Sequence, residues 1–349
     1  MENPVNPQPH PAWLHAGTAA AGQLPDPQRL ASLAAFLAES ASLAPLLMLH
    51  GLMRLSFCQD DQWQIAARRQ QLRIAPCFEG LLERWHQHLL AEGLLENIDD
   101  LWTLAPCAPE EQQLEQRIDD ARHRLRQLMS WLDDAAPLAD ALFSPPRQID
   151  DWLCAPALAE DATPAASLHQ LLHLPGIISD YFSGIANGVL PLLLGQPPRL
   201  LALGPTPLPL ADCLSRIRAE VVQVAPGRTL ASQLPGDDLH SAVAIGDLLN
   251  QPHPHHLLAE LGPWLIPGAA LLMTQNVEER PLHWVTPAAV RASVREEWGE
   301  PHCEVRCQQI LSRAGFELLQ TWPQSGTPMA FSGQRLFVAR YAPAAAGKR

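Results

Sequence analysis

The sequence predicts two domains in series, a mainly helical one followed by an α/β domain whose mostly parallel sheet forms three layers with helices. Three observations carry this reading. Before residue 165, apolar side chains recur at spacings of three and four, the period of helices that bury one face. From Pro198 onward, short apolar runs alternate with helical segments, the order that builds a parallel sheet covered on both faces. A length of 349 residues with 47% hydrophobic and 17% charged side chains accommodates two ordinary cores. The implied divisions are a loose arm at 1–26, a helical, winged-helix-like lid domain at 27–165, the α/β domain at 166–342 and a frayed tail at 343–349.

Proline and polar residues dominate the arm. Asp26-Pro27 then supplies a cap and a first-turn proline, and Arg29–Glu39 and Pro45–Ser56 read as two amphipathic helices. Phe78, Leu81, Leu82, Trp85, Leu89 and Leu90 define a helix that Gly93 ends in a left-handed cap, with His86 and His88 on different faces and solvated. Leu101–Leu104 alternates like a small strand, giving the helix, turn, strand order of a winged helix. Glu110–Leu132 is a long helix, and 133–164 a connector rich in alanine, proline and aspartate. In the α/β half, strands are expected at Leu200–Leu203, Val221–Val224, Ala242–Ile245, Ala269–Thr274 and Arg335–Tyr341. Helices are expected at Leu210–Ala219, His255–Trp264 and Gln308–Ala314, with Pro267-Gly268 turning the chain into the fourth strand.

Lys plus Arg number 24 against 37 Asp plus Glu, a net charge of −13, which argues against nucleic acid as a partner. Seven scattered cysteines lack a secreted-type framework and read as free thiols of a reducing, cytoplasmic compartment. The amino terminus has neither the charge nor the apolar core of a signal peptide, and the apolar runs are short of a bilayer span, so no membrane association is expected.

The stretch Arg199–Leu210, RLLALGPTPLPL, decides most of the functional reading. In an open α/β sheet the ligand lies outside the carboxyl ends of the strands, where glycines let the backbone approach it. After the first strand this chain has Gly204 and then Pro205, Pro207 and Pro209, which fix φ and remove amide donors. Such a loop is a poor cradle for a ribose or a carboxylate. Elsewhere, His253, His255 and His256 form the densest histidine cluster and read as a solvated helix start rather than a metal site, with Asp247 just before them as an alternative acid or base. Cys303 and Cys307 lack a second cysteine pair at zinc spacing, so no metal is assigned.

Taken in order, these residues resemble the methyltransferase domains embedded in polyketide and nonribosomal peptide synthases, of the class I S-adenosylmethionine-dependent superfamily. The resemblance covers roughly residues 70–340 and rests on LRIAPCFEGLLERWHQHLLAEGLL, on Asp180-Tyr181-Phe182 with Asn187, on DLHSAVAIGDLLNQPHPHHLLAELGPWLIPGAALLMTQ, and on Ile310-Leu311 with Ala314-Gly315-Phe316. It implies a Rossmann-like fold and makes Gly204, Thr206, Ala225 and Asp247 the cofactor-facing positions, with Asp247, His253 and His255 as candidate catalytic groups.

The departures fall on functional positions. Against the family's Glu-x-Gly-x-Gly-x-Gly loop only Gly204 remains, and the acidic residue that would accept from the ribose hydroxyls is replaced by Ala225. The histidine base used by carbon-methylating members is matched by Leu249, and the glutamate that would pair with it by Thr274 or Gln275. Losing the ribose carboxylate alone removes about 1.5–3 kcal/mol, one to two orders of magnitude in affinity. The resemblance therefore implies an accessory protein of a thiotemplate assembly line, partnered by a synthase or carrier protein, with no cofactor. The alternative is a working S-adenosylmethionine-dependent methyltransferase acting on a carrier-bound or small-molecule intermediate.

Overall fold

The computed structural model describes residues 11–129, 176–194, 199–203, 220–224, 230–234, 239–246, 248, 254–278, 280–285 and 303–342. The chain divides into two compact units. One comprises Met1–Pro27, Ile177–Glu278 and His302–Arg349, the other Gln28–Gly176 and Glu279–Pro301.

The helical unit starts with α2 (Pro27–Arg54), preceded in the chain by α1 (Ala12–Ala21) of the other unit. Where two helices are expected, α2 is continuous through Pro45. The proline forfeits one backbone hydrogen bond, but Leu33, Phe36, Leu37, Leu43, Met48, Leu49 and Leu52 are buried along its length and outweigh that loss. This helix is long and apolar enough to cross a bilayer by length and composition. Its packing is that of a core helix, tied to α5 (Glu111–Leu128) through Arg124 Nη2 to Glu39 Oε1 at 2.7 Å.

Between them lie α3 (Ile65–Gln71) and α4 (Glu79–Ala91), followed by the hairpin β1 (Leu95–Ile98) and β2 (Leu101–Leu104). The hairpin turns on Asp99 and Asp100, both at positive φ (53° and 63°), the conformation of a two-residue turn whose twist matches its strands. Trp63 pairs with Trp102 through both backbone hydrogen bonds and so adds a third segment beside the hairpin. Helix α4 ends in a Schellman cap: Gly93 sits at φ 70°, its N–H donates to Leu90 O, and the Leu94 N–H donates to Leu89 O. A Cβ at Gly93 would have open space around it, so Gly93→Ala probes the backbone conformation alone. It is expected to lower stability by about 1–2 kcal/mol in urea unfolding, with Gly93→Asn less damaging; equal midpoints for Ala and Gly would refute the cap.

His86 is not solvated, as its sequence context suggested, but wholly buried among Phe57, Trp63 and Trp102. Helical spacing alone missed this because three aromatic segments distant in sequence close over it. The expected α/β domain is also interrupted, since 279–301 belongs with the helical unit. The buried Trp85 indole donates to Trp284 O at 3.0 Å, and Trp284 stacks edge-on against His88, with ring centroids 5.6 Å apart.

The second unit is built on a six-stranded sheet of β3 (Arg199–Leu203), β4 (Glu220–Val224), β5 (His240–Gly246), β6 (Leu265–Asn276), β7 (Phe316–Trp322) and β8 (Gln334–Tyr341), in the order β4-β3-β5-β6-β8-β7. The first four run parallel to one another, and β8 runs antiparallel between β6 and β7. Pro267-Gly268 is not a turn before a strand but an irregularity inside β6, where the pairing jumps from His240↔Leu265 to Ala242↔Ala270 and Gly268 takes φ 84°. On one face, Leu201, Leu203, Val243, Ile245, Leu271, Met273, Phe337 and Ala339 pack with Leu258 and Leu261 of α7 (Pro254–Leu261) and with Cys307, Ile310 and Leu311 of α8 (Glu304–Arg313).

The opposite face carries small residues, Ala202, Ala242, Ala244, Gly246 and Ala270, which leave room for α6 (Ile177–Leu193), a helix buried along most of its length that packs on β6. The expected loose arm is a correction: residues 12–21 form α1, which packs on α6 and sets Gly17 against Trp322. Its prolines precede the helix, whereas its alanines form it. Strand β7 was not anticipated either. A bulge between Leu318 and Gln320 breaks its alternation, so Phe316 joins the α7/α8 core while Trp322, opposite Leu336, faces α1.

Candidate ligand-binding edge of the sheet

Strand β3 has β4 on one side and β5 on the other, so the chain reverses its direction of growth between β3 and β5. A doubly wound sheet opens a crevice at that point, outside the carboxyl ends of the strands. Here those ends are Leu203, Val224 and Gly246, continued by Asn276 of β6. Four adjacent apolar residues make β3 a buried strand, and Arg199 Nε holds Glu220 Oε2 at 3.1 Å across the β3–β4 pair at the other end.

Gly204, Thr206, Ala225, Asp247, Leu249 and His253 lie outside the described residues. His255 is described, exposed beside His256 at the start of α7. Thr274 and Gln275, which the sequence resemblance sets at the family's glutamate position, are both wholly buried in β6 and point to opposite faces of it. Gln275 Nε2 donates to Asn276 O at 3.2 Å, and Asn276 Oδ1 accepts from the Glu278 amide at 3.4 Å. Neither residue can hold a histidine as a carboxylate would.

Among the described residues on neighbouring elements, Arg335, Tyr181 and Ser183 are already paired or neutral. Arg335, opposite Gln275, donates to Ala330 O and Gln334 O and faces Glu304 at 3.7 Å. Burial pushes the Tyr181 phenol up to about 12, against the opposing effect of Arg335, so at neutral pH it keeps its proton and is no base. Ser183 Oγ is engaged with Ser179 O at 2.6 Å. A surface cavity of about 300 Å³ bordered by Glu304, Leu318, Gln320 and Pro323 lies along edge strand β7, away from the switch point.

Several buried polar atoms at this edge have no hydrogen-bond partner among the described residues: Thr274 Oγ1, both amide atoms of Gln334, and Trp322 Nε1. Gln334 is overlooked in the sequence because it begins β8 directly after Ser332-Gly333 and reads as loop. Its only sequence signal is a polar residue ahead of the apolar run Leu336–Ala339.

The sheet, its switch point and the helices on both faces define a class I methyltransferase fold. Among solved structures, the chain is similar to the DszA carbon methyltransferase, with a TM-score of 0.70 at 14% identity over 97% of this chain and 99% of that one. It is also similar to the CurJ carbon methyltransferase, TM-score 0.65 at 16% identity over 94% and 97%. The carbon methyltransferase domain of the citrinin polyketide synthase matches with a TM-score of 0.66 at 13% identity over 96% and 98%. The coverage includes the helical unit, so both units share the architecture of these domains. No protein-family model and no curated protein matches the chain.

Proposed function

We propose that this chain is a methyltransferase-fold accessory protein of polyketide or nonribosomal peptide assembly that does not itself transfer methyl groups, and that its partner is a synthase or carrier protein. The observation that carries this reading is the chemistry of the carboxyl edge. The described strand ends are Leu203, Val224 and Gly246, and the buried polar residues beyond them are Thr274, Gln275, Asn276 and Gln334, all without charge. None of these is a carboxylate, the charged acceptor that would bind a ribose diol most strongly or hold an imidazolium. The sequence next to β3 and β4 continues the same chemistry with Gly204, three prolines and Ala225. S-adenosylmethionine would supply an electrophilic methyl group if bound, but the described edge does not fit it.

Calorimetric titration with S-adenosylmethionine tests this directly. The expected result is no heat at micromolar ligand, together with co-purification of a synthase or carrier protein from the native host. Micromolar binding would overturn the accessory reading and favour a working enzyme with Asp247, His253 or His255 as its base.

A further inference from the structure

We propose that the outer edge of β7 takes a short extended segment of a partner protein, with a lysine or arginine of that segment seated in the cavity beside Glu304. This does not depend on whether the carboxyl edge of the sheet holds a cofactor.

Strand β7 ends the six-stranded sheet, and among the described residues no strand lies on its outer side. The cavity of about 300 Å³ found there is lined by four consecutive residues, 318–321. Side chains alternate between the two faces of a strand, so a cavity touched by four in a row runs along the strand's edge and meets its main chain. Residues 323–325 and Glu304, the first residue of α8, line it beyond the carboxyl end of the strand. A free main-chain edge with a pocket beside it is the arrangement of strand addition, in which backbone hydrogen bonds give affinity and the pocket selects a side chain.

Charge decides what fits. Glu304 is the one charged residue lining the cavity, and its side chain is 35% exposed. Its contacts to Arg335 Nε at 3.7 Å and from Gln308 Nε2 at 3.4 Å are both long, so the carboxylate keeps acceptor capacity for a further donor. Gln320 Nε2 reaches only the carbonyl of its own neighbour Thr321, at 3.5 Å, and the remaining walls are neutral. A cationic side chain therefore finds a counter-charge there, on a chain whose net charge is −13. A second copy of this chain fits worse. Two β7 strands paired antiparallel about Leu319 would set Glu317 of each opposite Thr321 of the other, beside the cavity that holds Glu304. The bulge between Leu318 and Gln320 also interrupts the edge, which blocks long continuous pairing and leaves room for a short segment.

The test uses the full chain labelled with ¹⁵N-leucine and, as probe, the acetylated and amidated pentapeptide Thr-Val-Lys-Val-Thr. One control replaces its lysine by glutamate, and the other carries N-methyl groups on the three central residues, which removes the backbone donors. The Leu319 amide signal is identified by its loss in Leu319→Ile. In the wild type the lysine peptide is expected to shift that signal at millimolar concentration, and both controls to bind about tenfold more weakly or not at all. Glu304→Gln should weaken the lysine peptide about threefold or more and leave the glutamate peptide no weaker. No shift of Leu319 up to about 5 mM peptide, a limit that still detects weak strand addition, overturns the proposal. So do equal affinities for the lysine and glutamate peptides, or a Leu319 signal that moves with protein concentration alone, which would make the occupant a second copy. The two control peptides on the wild-type chain decide the matter even where Glu304→Gln misfolds.

Discussion

Truncating Trp322 to alanine is expected to destabilise the α/β unit by about 3–5 kcal/mol, the cost of removing a buried large aromatic from a packed site. The ring is 1% exposed, stands edge-on to Trp13 with centroids 6.4 Å apart, and is the surface on which α1 seats. Gly17 on α1 has no room for a side chain, because a Cβ there would come within 2.7 Å of both the Trp322 ring and a Val189 methyl group. Alanine at position 17 would gain up to about 1 kcal/mol of helix propensity. Overpacking of a rigid core costs about 1–3 kcal/mol and decides the sign, so Gly17→Ala is expected to be net destabilising. Combined with Trp322→Ala, the same substitution loses its principal clash, and its penalty should fall by about 1 kcal/mol or more. Urea unfolding of the four proteins of this cycle measures that coupling. Strict additivity would mean that Gly17 and Trp322 do not touch and that α1 is the loose arm its prolines suggest.

The same contrast shows what the sequence made legible. Strands β3, β5 and β8 announce themselves as apolar runs bounded by turn residues, and the Gly93 and Gly315 helix ends as glycines after a periodic stretch. Such signals are local, arising within one element. The elements misread depend on partners far away in sequence: α1 is helical against α6 and Trp322, β7 hides behind its bulge, and 279–301 belongs to the helical unit through the Trp85 to Trp284 hydrogen bond. For the candidate site, the sequence resemblance sets the neutral Ala225 and Gln275 at positions where the family is expected to carry carboxylates. The unpaired state of Thr274 and Gln334 emerges only when β6 and β8 are laid side by side.

Acid is expected to unfold the helical unit through His86. Trp63 Nε1–H donates to His86 Nε2 at 3.0 Å, and since Leu82 O only accepts, the 2.7 Å contact to it requires a proton on Nδ1. Both ring nitrogens are thereby committed in the neutral form. A second proton on Nε2 would face the Trp63 N–H and place a charge among Phe57, Trp63 and Trp102. Burial accordingly lowers the His86 pKa to about 4, with the Leu82 carbonyl opposing it in part. Because the folded value lies below the unfolded one, the contribution is complete above about pH 6.5 and is lost as pH falls from there toward 4. The loss amounts to about 3 kcal/mol at 1.36 kcal/mol per unit. His88 and His50 are shifted in the same direction, chiefly by burial, so the wild-type slope alone does not isolate His86. Glutamine at position 86 keeps an acceptor for Trp63 without titrating. Urea midpoints between pH 7 and pH 4 should therefore fall less steeply in His86→Gln than in the wild type. Parallel slopes would mean that the imidazole gains no proton on unfolding and that its aromatic enclosure does not hold it neutral.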